Sequence, residues 1–272
     1  MNSYIVCIGN ELLIGKTINT NAAWIGKQIA EVGCDIISNI VVPDEEIAIT
    51  TTLDNILSFN PGIVIITGGL GPTDDDVTLK TLFRFANVSS TFDQKYWNDL
   101  KRRFRKSGFL IPESNRNQAL IPSSGEVIDN PIGSARGFKF KKDKTTFFSL
   151  PGVPSEMMAM MKLSVLPWIK NNNSTKNYIK TLCTTGIPES VLIEEIAVPI
   201  KSNHGCAIGY YPSVYGVDIQ ISSQKKENVT TLFDILSKIL NDYVYSENGM
   251  KLEEVVIRKA MDLNMTLAVA ES

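Results

Sequence analysis

Two apolar patterns alternate along the first 170 residues. Short runs dense in β-branched side chains recur at residues 4–8, 35–42 and 63–67, as expected of strands in a parallel sheet. Between them, Ala22, Ile25, Ile29 and Val32, then Ile49, Leu53, Ile56 and Leu57, recur at helical spacing. Thr20 or Asn21 supplies an N-cap for the first helix and Gly33 its stop, and the second helix stops at Asn60-Pro61. The alternation predicts right-handed βαβ units, which take ligands at the carboxyl ends of their strands. Asn10, Glu11, Asp44 and residues 68–76 all follow predicted strands, so they are expected on one rim.

Residues 93–106 read as a helix, with Tyr96, Trp97, Leu100 and Phe104 as its apolar stripe. Lys101, Arg102, Arg103, Arg105 and Lys106 read as its solvated face, with a phosphate or partner contact as the minority reading. Residues 137–140 and 145–150 suggest a hairpin across a charged turn, followed by a methionine-rich helix in which Met157, Met158, Met160 and Met161 serve as adaptable packing. Asn171-Asn172-Asn173-Ser174-Thr175 marks a linker. Beyond it, strands at 180–185, 207–211 and 217–222 and helices at 189–197 and 228–243 predict a small α+β domain. A helix at 252–263 and a strand opening at Thr266 read as the start of a further α/β unit.

Composition narrows the function classes. With 43% apolar and 21% charged residues and a formal charge of −2, the chain is an ordinary globular protein with no global attraction to nucleic acid or anionic membrane. No run approaches a membrane span and no signal-peptide pattern opens the chain, so a cytoplasmic protein is expected. Cys7, Cys34, Cys183 and Cys206 form no close pair and read as reduced thiols. The single histidine, His204, reads as a loop residue and disfavours Ser-His or Cys-His catalysis.

The sharpest local chemistry follows the run Ile63-Val64-Ile65-Ile66-Thr67. Gly68-Gly69-Leu70-Gly71-Pro72-Thr73-Asp74-Asp75-Asp76 comes next, and helical spacing resumes at Leu79, Leu82, Phe83 and Ala86. Gly68, Gly69 and Gly71 permit amide N–H groups to converge on a phosphate near a helix opening in the acidic run. Carboxylates beside a phosphate repel it unless a cation lies between, so the pattern points to a divalent metal with a phosphate. The same residues also suit a tight strand-to-helix turn with aspartate caps. Gly9-Asn10-Glu11-Leu12-Leu13-Ile14-Gly15-Lys16-Thr17 is not a P-loop, because five residues separate its glycines and three of them are bulky. No dinucleotide fingerprint and no R-E-x-x-E-E pattern is present.

Taken together, the motifs resemble the CinA family of competence- and damage-inducible bacterial proteins. They are Gly9-Asn10-Glu11-Leu12-Leu13, Asn19-Thr20-Asn21-Ala22, Thr67-Gly68-Gly69-Leu70-Gly71-Pro72-Thr73 with Asp75-Asp76, Asn115 with Gln118-Ala119, Asn130-Pro131-Ile132-Gly133, and Leu150-Pro151-Gly152-Val153-Pro154-Ser155-Glu156. The resemblance implies an α/β molybdopterin-binding-like domain with a mainly parallel sheet at 1–170. A small α+β KH-like domain at 176–248 and the opening of a C-terminal deamidase domain at 251–272 would follow. It also implies metal-dependent hydrolysis of ADP-ribose to AMP and ribose 5-phosphate. Asp76 would be catalytic, Asp76, Asp75 and Glu11 would hold the metal, and Gly68, Gly69, Gly71, Thr73, Asn21, Asn130 and Gly133 would hold substrate. The alternatives are pterin or nucleotide binding with adenylation, or a regulatory role. The expected partner is a nucleotide-type small molecule, with room for a homodimer. No G-x-x-G loop marks the KH-like part for RNA. Only Ala270-Glu271-Ser272 of the family's deamidase motif is present, so deamidation of nicotinamide mononucleotide is not expected. Against the family pattern, Arg136 stands where proline is usual, Ser134 replaces threonine, and Asn117 replaces the lysine before Gln118-Ala119.

Overall fold

A computed structural model describes residues 1–73, 76–202 and 205–270. Asp74, Asp75, His204 and the pair Glu271-Ser272 lie outside the described residues. The chain divides into two compact units, Met1–Thr175 and Lys176–Ser272.

The first unit runs β1 (Asn2–Ile8), α1 (Asn10–Leu13), α2 (Thr20–Glu31), β2 (Asp35–Val42), α3 (Glu46–Leu57), β3 (Ile63–Thr67), α4 (Thr78–Phe85), β4 (Ser90–Phe92) and α5 (Gln94–Lys106). A 3₁₀ turn at Glu113–Ala119 leads to β5 (Leu120–Pro122), β6 (Glu126–Ile128), β7 (Gly137–Lys142) and β8 (Thr145–Leu150). The unit closes with α6 (Pro154–Met160), a π-helical turn at Met161–Val165 and α7 (Leu166–Asn172). Its main sheet has the order β2-β1-β3-β8-β7-β6. The first four strands are parallel, while β7 and β6 continue antiparallel. Side chains alternate across this sheet as the strand period requires. Ile5, Cys7, Ile63 and Ile65 pack beneath α2, α6 and α7. Tyr4, Val6, Ile8, Val64 and Ile66 pack beneath α3 and α4. A sheet covered on both faces needs the near-continuous apolar runs seen in the sequence.

The second unit comprises β9 (Tyr178–Thr184), α8 (Glu189–Lys201), β10 (Ala207–Pro212), β11 (Val217–Ser223), α9 (Lys226–Ile239), β12 (Val244–Ser246) and α10 (Leu252–Asp262). Its sheet, β10-β11-β9-β12, is antiparallel throughout. Val217, Ile219 and Ile221 enter one core with Leu192 and Ile196 of α8 and Phe233 and Leu236 of α9.

Several expectations change. The first helix is capped by Asn19, whose side chain accepts the Ala22 N–H, and not by Thr20 or Asn21. The helix after the glycine loop opens at Thr78, beyond the acidic run, with Val77 as an N-cap that makes no side-chain bond. The strand expected from Thr266 is absent, and residues 266–270 are exposed coil. A lone extended segment has no neighbour to satisfy its backbone groups, and water does so instead. Among the described residues no helix is long and apolar enough to cross a membrane, and no disulfide joins Cys7, Cys34, Cys183 or Cys206.

Candidate functional site

Register in the parallel sheet sets the site. Cys7 pairs with Thr67, Thr67 with Leu150, and Ile8 with Val42, so four strands finish at one level. Gly9 to Glu11, Asp44, the glycine loop and the Pro151-Gly152 turn therefore share an edge. Glu11, Asn21, Asp44, Gly68, Gly69 and Asp76 line one depression there, of about 240 Å³.

The glycine loop is held by close contacts. Gly68 has φ +109° and donates its N–H to Leu150 O at 3.1 Å; a Cβ there would run into Ile8 O. Gly69 has φ +65° and lies against the Thr78 hydroxyl. Only glycine adopts these angles at so close an approach without strain. The N–H groups of Gly69, Leu70 and Gly71 donate to no acceptor among the described residues. A row of unpaired amides of this kind suits an anion. From the far side, Thr67 Oγ1 donates to Pro151 O at 2.7 Å, and Asn21 Nδ2 donates to Thr67 Oγ1 at 3.2 Å and to Gly152 O at 2.7 Å.

These bonds engage the donors of several expected ligands, while Asn21 Oδ1 has no hydrogen-bond partner among the described residues. The amide donor of Asn21 is spent on the turn after β8, which makes the residue a brace between loops. Asp76 precedes its helix and turns back on Thr73: one carboxylate oxygen accepts the Thr73 N–H at 2.9 Å and also the Thr73 hydroxyl. The Thr73 donors thus serve Asp76. Asn130 is saturated as well. Its Oδ1 accepts the N–H groups of Ile132 (3.0 Å) and Gly133 (2.8 Å), and its Nδ2 donates to Ala135 O (2.9 Å) and Glu156 Oε2 (2.5 Å). Asn130 and Gly133 build a turn, and the Gly133 amide is already engaged.

That turn borders a second depression of about 370 Å³, lined by Gly69, Gly71, Gln118, Ser134 and Glu156 among others. Asp76, Gly69 and Gly152 belong to both depressions, so the Asp76 carboxylate stands where they meet. Asp44, whose Oδ2 accepts the Asn10 N–H at 2.9 Å, and Glu156, which leans over Gly133, join the site without having been assigned a role from sequence. Their signals were present: Asp44 closely follows a strand, and Glu156 sits in the first turn of a helix opened by Pro154. A wider cleft of about 560 Å³, lined by Glu126, Lys139 and Trp168, lies along β6 and contains none of the glycine-loop residues.

The donor set can be tested for a metal. Glu11, Asp44 and Asp76 offer only oxygen, as hard divalent cations prefer. Among the described residues no three acidic, cysteine or histidine side chains converge into a ready-made cage. The donors fit an ion of the magnesium type, which takes one or two carboxylates and completes its shell with water and substrate phosphate. Burial raises the Cys7 thiol on the floor of the first depression, with a bond to Asn19 opposing the rise, so it is a poor nucleophile.

Comparison with known proteins agrees with this architecture. The pattern described as "Probable molybdopterin binding domain" matches residues 4–171, and "Damage-inducible protein CinA KH domain" matches residues 179–246. Proteins named "Putative competence-damage inducible protein" from Caldicellulosiruptor saccharolyticus and Clostridium botulinum (strain 657 / Type Ba4) are 30% and 32% identical over the whole of this chain, which spans 67% and 68% of their lengths. The crystal structure of the protein CinA of unknown function from Thermoplasma acidophilum is 33% identical and superposes with a TM-score of 0.55, covering 62% of this chain and 97% of that one. The chain belongs to the CinA family, with a molybdopterin-binding-like α/β unit followed by a CinA KH domain.

Proposed function

We propose that this protein hydrolyses the pyrophosphate of ADP-ribose to AMP and ribose 5-phosphate with a divalent metal. The observation that carries the reading is the position of Asp76, at the junction of two depressions and beside the Gly69, Leu70 and Gly71 amides, which have no acceptor among the described residues. A substrate made of two halves joined by a pyrophosphate suits such a layout, with one half on each side and the scissile bridge at the loop. The three amides would hold a phosphoryl oxygen as charge accumulates. Asp76, with Asp44 or Glu11, would hold the metal, and Asp75 remains a candidate ligand; when bound, the metal supplies charge neutralisation and an acidified water. Water adds to one phosphorus, the bridging oxygen leaves on the other, and its proton comes from the attacking water. Gly68 and the Asn21–Thr67 brace keep the loop in place for that exchange.

A pterin- or nucleotide-binding reading, with adenylation or a regulatory role, rests on the family pattern. One assay separates the readings. The protein is incubated with ADP-ribose, other nucleoside diphosphate esters or a pterin with ATP, each with magnesium, manganese or no metal, and the products are identified. Metal-dependent AMP and ribose 5-phosphate, lost in Asp76→Asn with the fold kept, is the expected result. Full activity in Asp76→Asn would remove Asp76 from the mechanism. Binding without turnover would establish the regulatory reading.

A further inference from the structure

Arg136 is an expensive residue for the fold. Its side chain is 8% exposed, and only Nη1 has a partner, Asp93 Oδ2 at 2.9 Å. Nε and Nη2 are buried with no hydrogen bond. Donors of a buried guanidinium left without partners carry a desolvation penalty, so packing alone does not account for it.

Its surroundings do. The guanidinium carbon lies 3.7 Å from the Tyr96 ring centroid. The Tyr96 hydroxyl donates to Ser134 O at 2.8 Å, and Arg103 Nη1 donates to Gly133 O at 3.3 Å. Asp93 is the N-cap of α5 and accepts the Tyr96 N–H at 2.9 Å. The Tyr96 backbone N–H first, and then the guanidinium, hold the Asp93 carboxyl below its usual range, which favours its carboxylate form. Helix α5 thus grips the 130–136 turn at Gly133, Ser134 and Arg136. Through Asn130 that turn holds the Glu156 carboxylate. Ser134, Ala135 and Glu156 in turn line the second depression, which Gly71 and Asp76 also border.

We propose that Arg136 is a positioning residue: it clamps the 130–136 turn to α5 and so fixes that part of the lining of the second depression. The kinetic part rests on the ADP-ribose reading; the structural part stands without it. Arg136→Met keeps length and burial, and Arg136→Lys keeps charge without the planar stack or second fork. Amide hydrogen exchange and thermal unfolding are measured for the wild type and both variants, with steady-state kinetics on ADP-ribose. In Arg136→Met, exchange at Ile132 and Gly133 should quicken about tenfold while Tm is kept, KM should rise about tenfold, and kcat should change little. Arg136→Lys should fall between. Unchanged exchange at these two amides, or faster exchange throughout with a lowered Tm and unchanged KM, would overturn the proposal. If the wild type does not hydrolyse ADP-ribose, the functional reading fails, and the two amides still decide the clamp.

Discussion

In the first unit β1, β2, β3 and β8 all finish at one edge, whereas in the second the neighbours in β10-β11-β9-β12 run in opposite directions. Both units bury a sheet against helices and both have fully buried cores. They differ in where loops gather. Parallel strands deliver every carboxyl-end loop to one rim, so Glu11, Asp44, Asp76 and Gly152 meet although they are far apart in sequence. Antiparallel strands divide their loops between two edges. The lesson is topological: strand direction, more than composition, concentrates chemistry in the first unit.

The largest test of that contrast pairs two aspartates. Asp76→Asn should lower ADP-ribose turnover by roughly 100-fold or more, while Asp218→Asn on β11 should leave it unchanged, both followed by AMP release. A loss in Asp218→Asn equal to that in Asp76→Asn would break the contrast. The next pair compares glycines. A Cβ at Gly68 would strike Ile8 O and one at Gly216 would strike Thr184 O, so each alanine variant should lose about 2 kcal/mol of stability in denaturant unfolding. Only Gly68→Ala should also lose ligand binding by calorimetry; equal binding losses would show that the effect travels through stability alone.

The smallest expected effect is a shared one. Burial pushes the Cys34 thiol up to about 11, with Asp35 adding and the N-terminus opposing. Burial, with Asp218 adding, pushes Cys183 up to about 11. An unfolded thiol ionises near about 8.5, so between there and 11 the unfolded chain has lost a proton that the folded chain retains, and stability falls as pH rises. Thermal unfolding from pH 8 to 10.5 should show this decline, and Cys34→Val or Cys183→Val should each lessen it. A decline unaltered by either substitution would assign it to other groups.

Where each segment supplied its own pattern, the fold could be read in advance. The run at 63–67 is a strand because its β-branched residues suit burial on both faces, and the α2 and α3 stripes needed no tertiary partner to be seen. The strands β4, β5, β6 and β12 span three residues each, too few for a period to show. The late start of α4 depends on Asp76 bonding Thr73, a side-chain choice that competes with helix formation. The rim was legible because strand ends predict it. The bonding of Asn130 was not, since its partner Glu156 lies 26 residues away and sequence spacing carries no trace of that pair.

The glycine loop has a consequence at the level of the gene. Every first- or second-base change in a glycine codon introduces a side chain or a stop. At Gly68 a Cβ would meet backbone at Ile8, and at Gly69 it would meet the buried Thr78 side chain. No such change is structurally silent at either codon, and drift there is confined to the third base. Codons 68 and 69 should therefore be among the least tolerant in a saturation library selected for function. Codons 108 and 249, whose glycines also have positive φ but face open space, should accept asparagine far more readily.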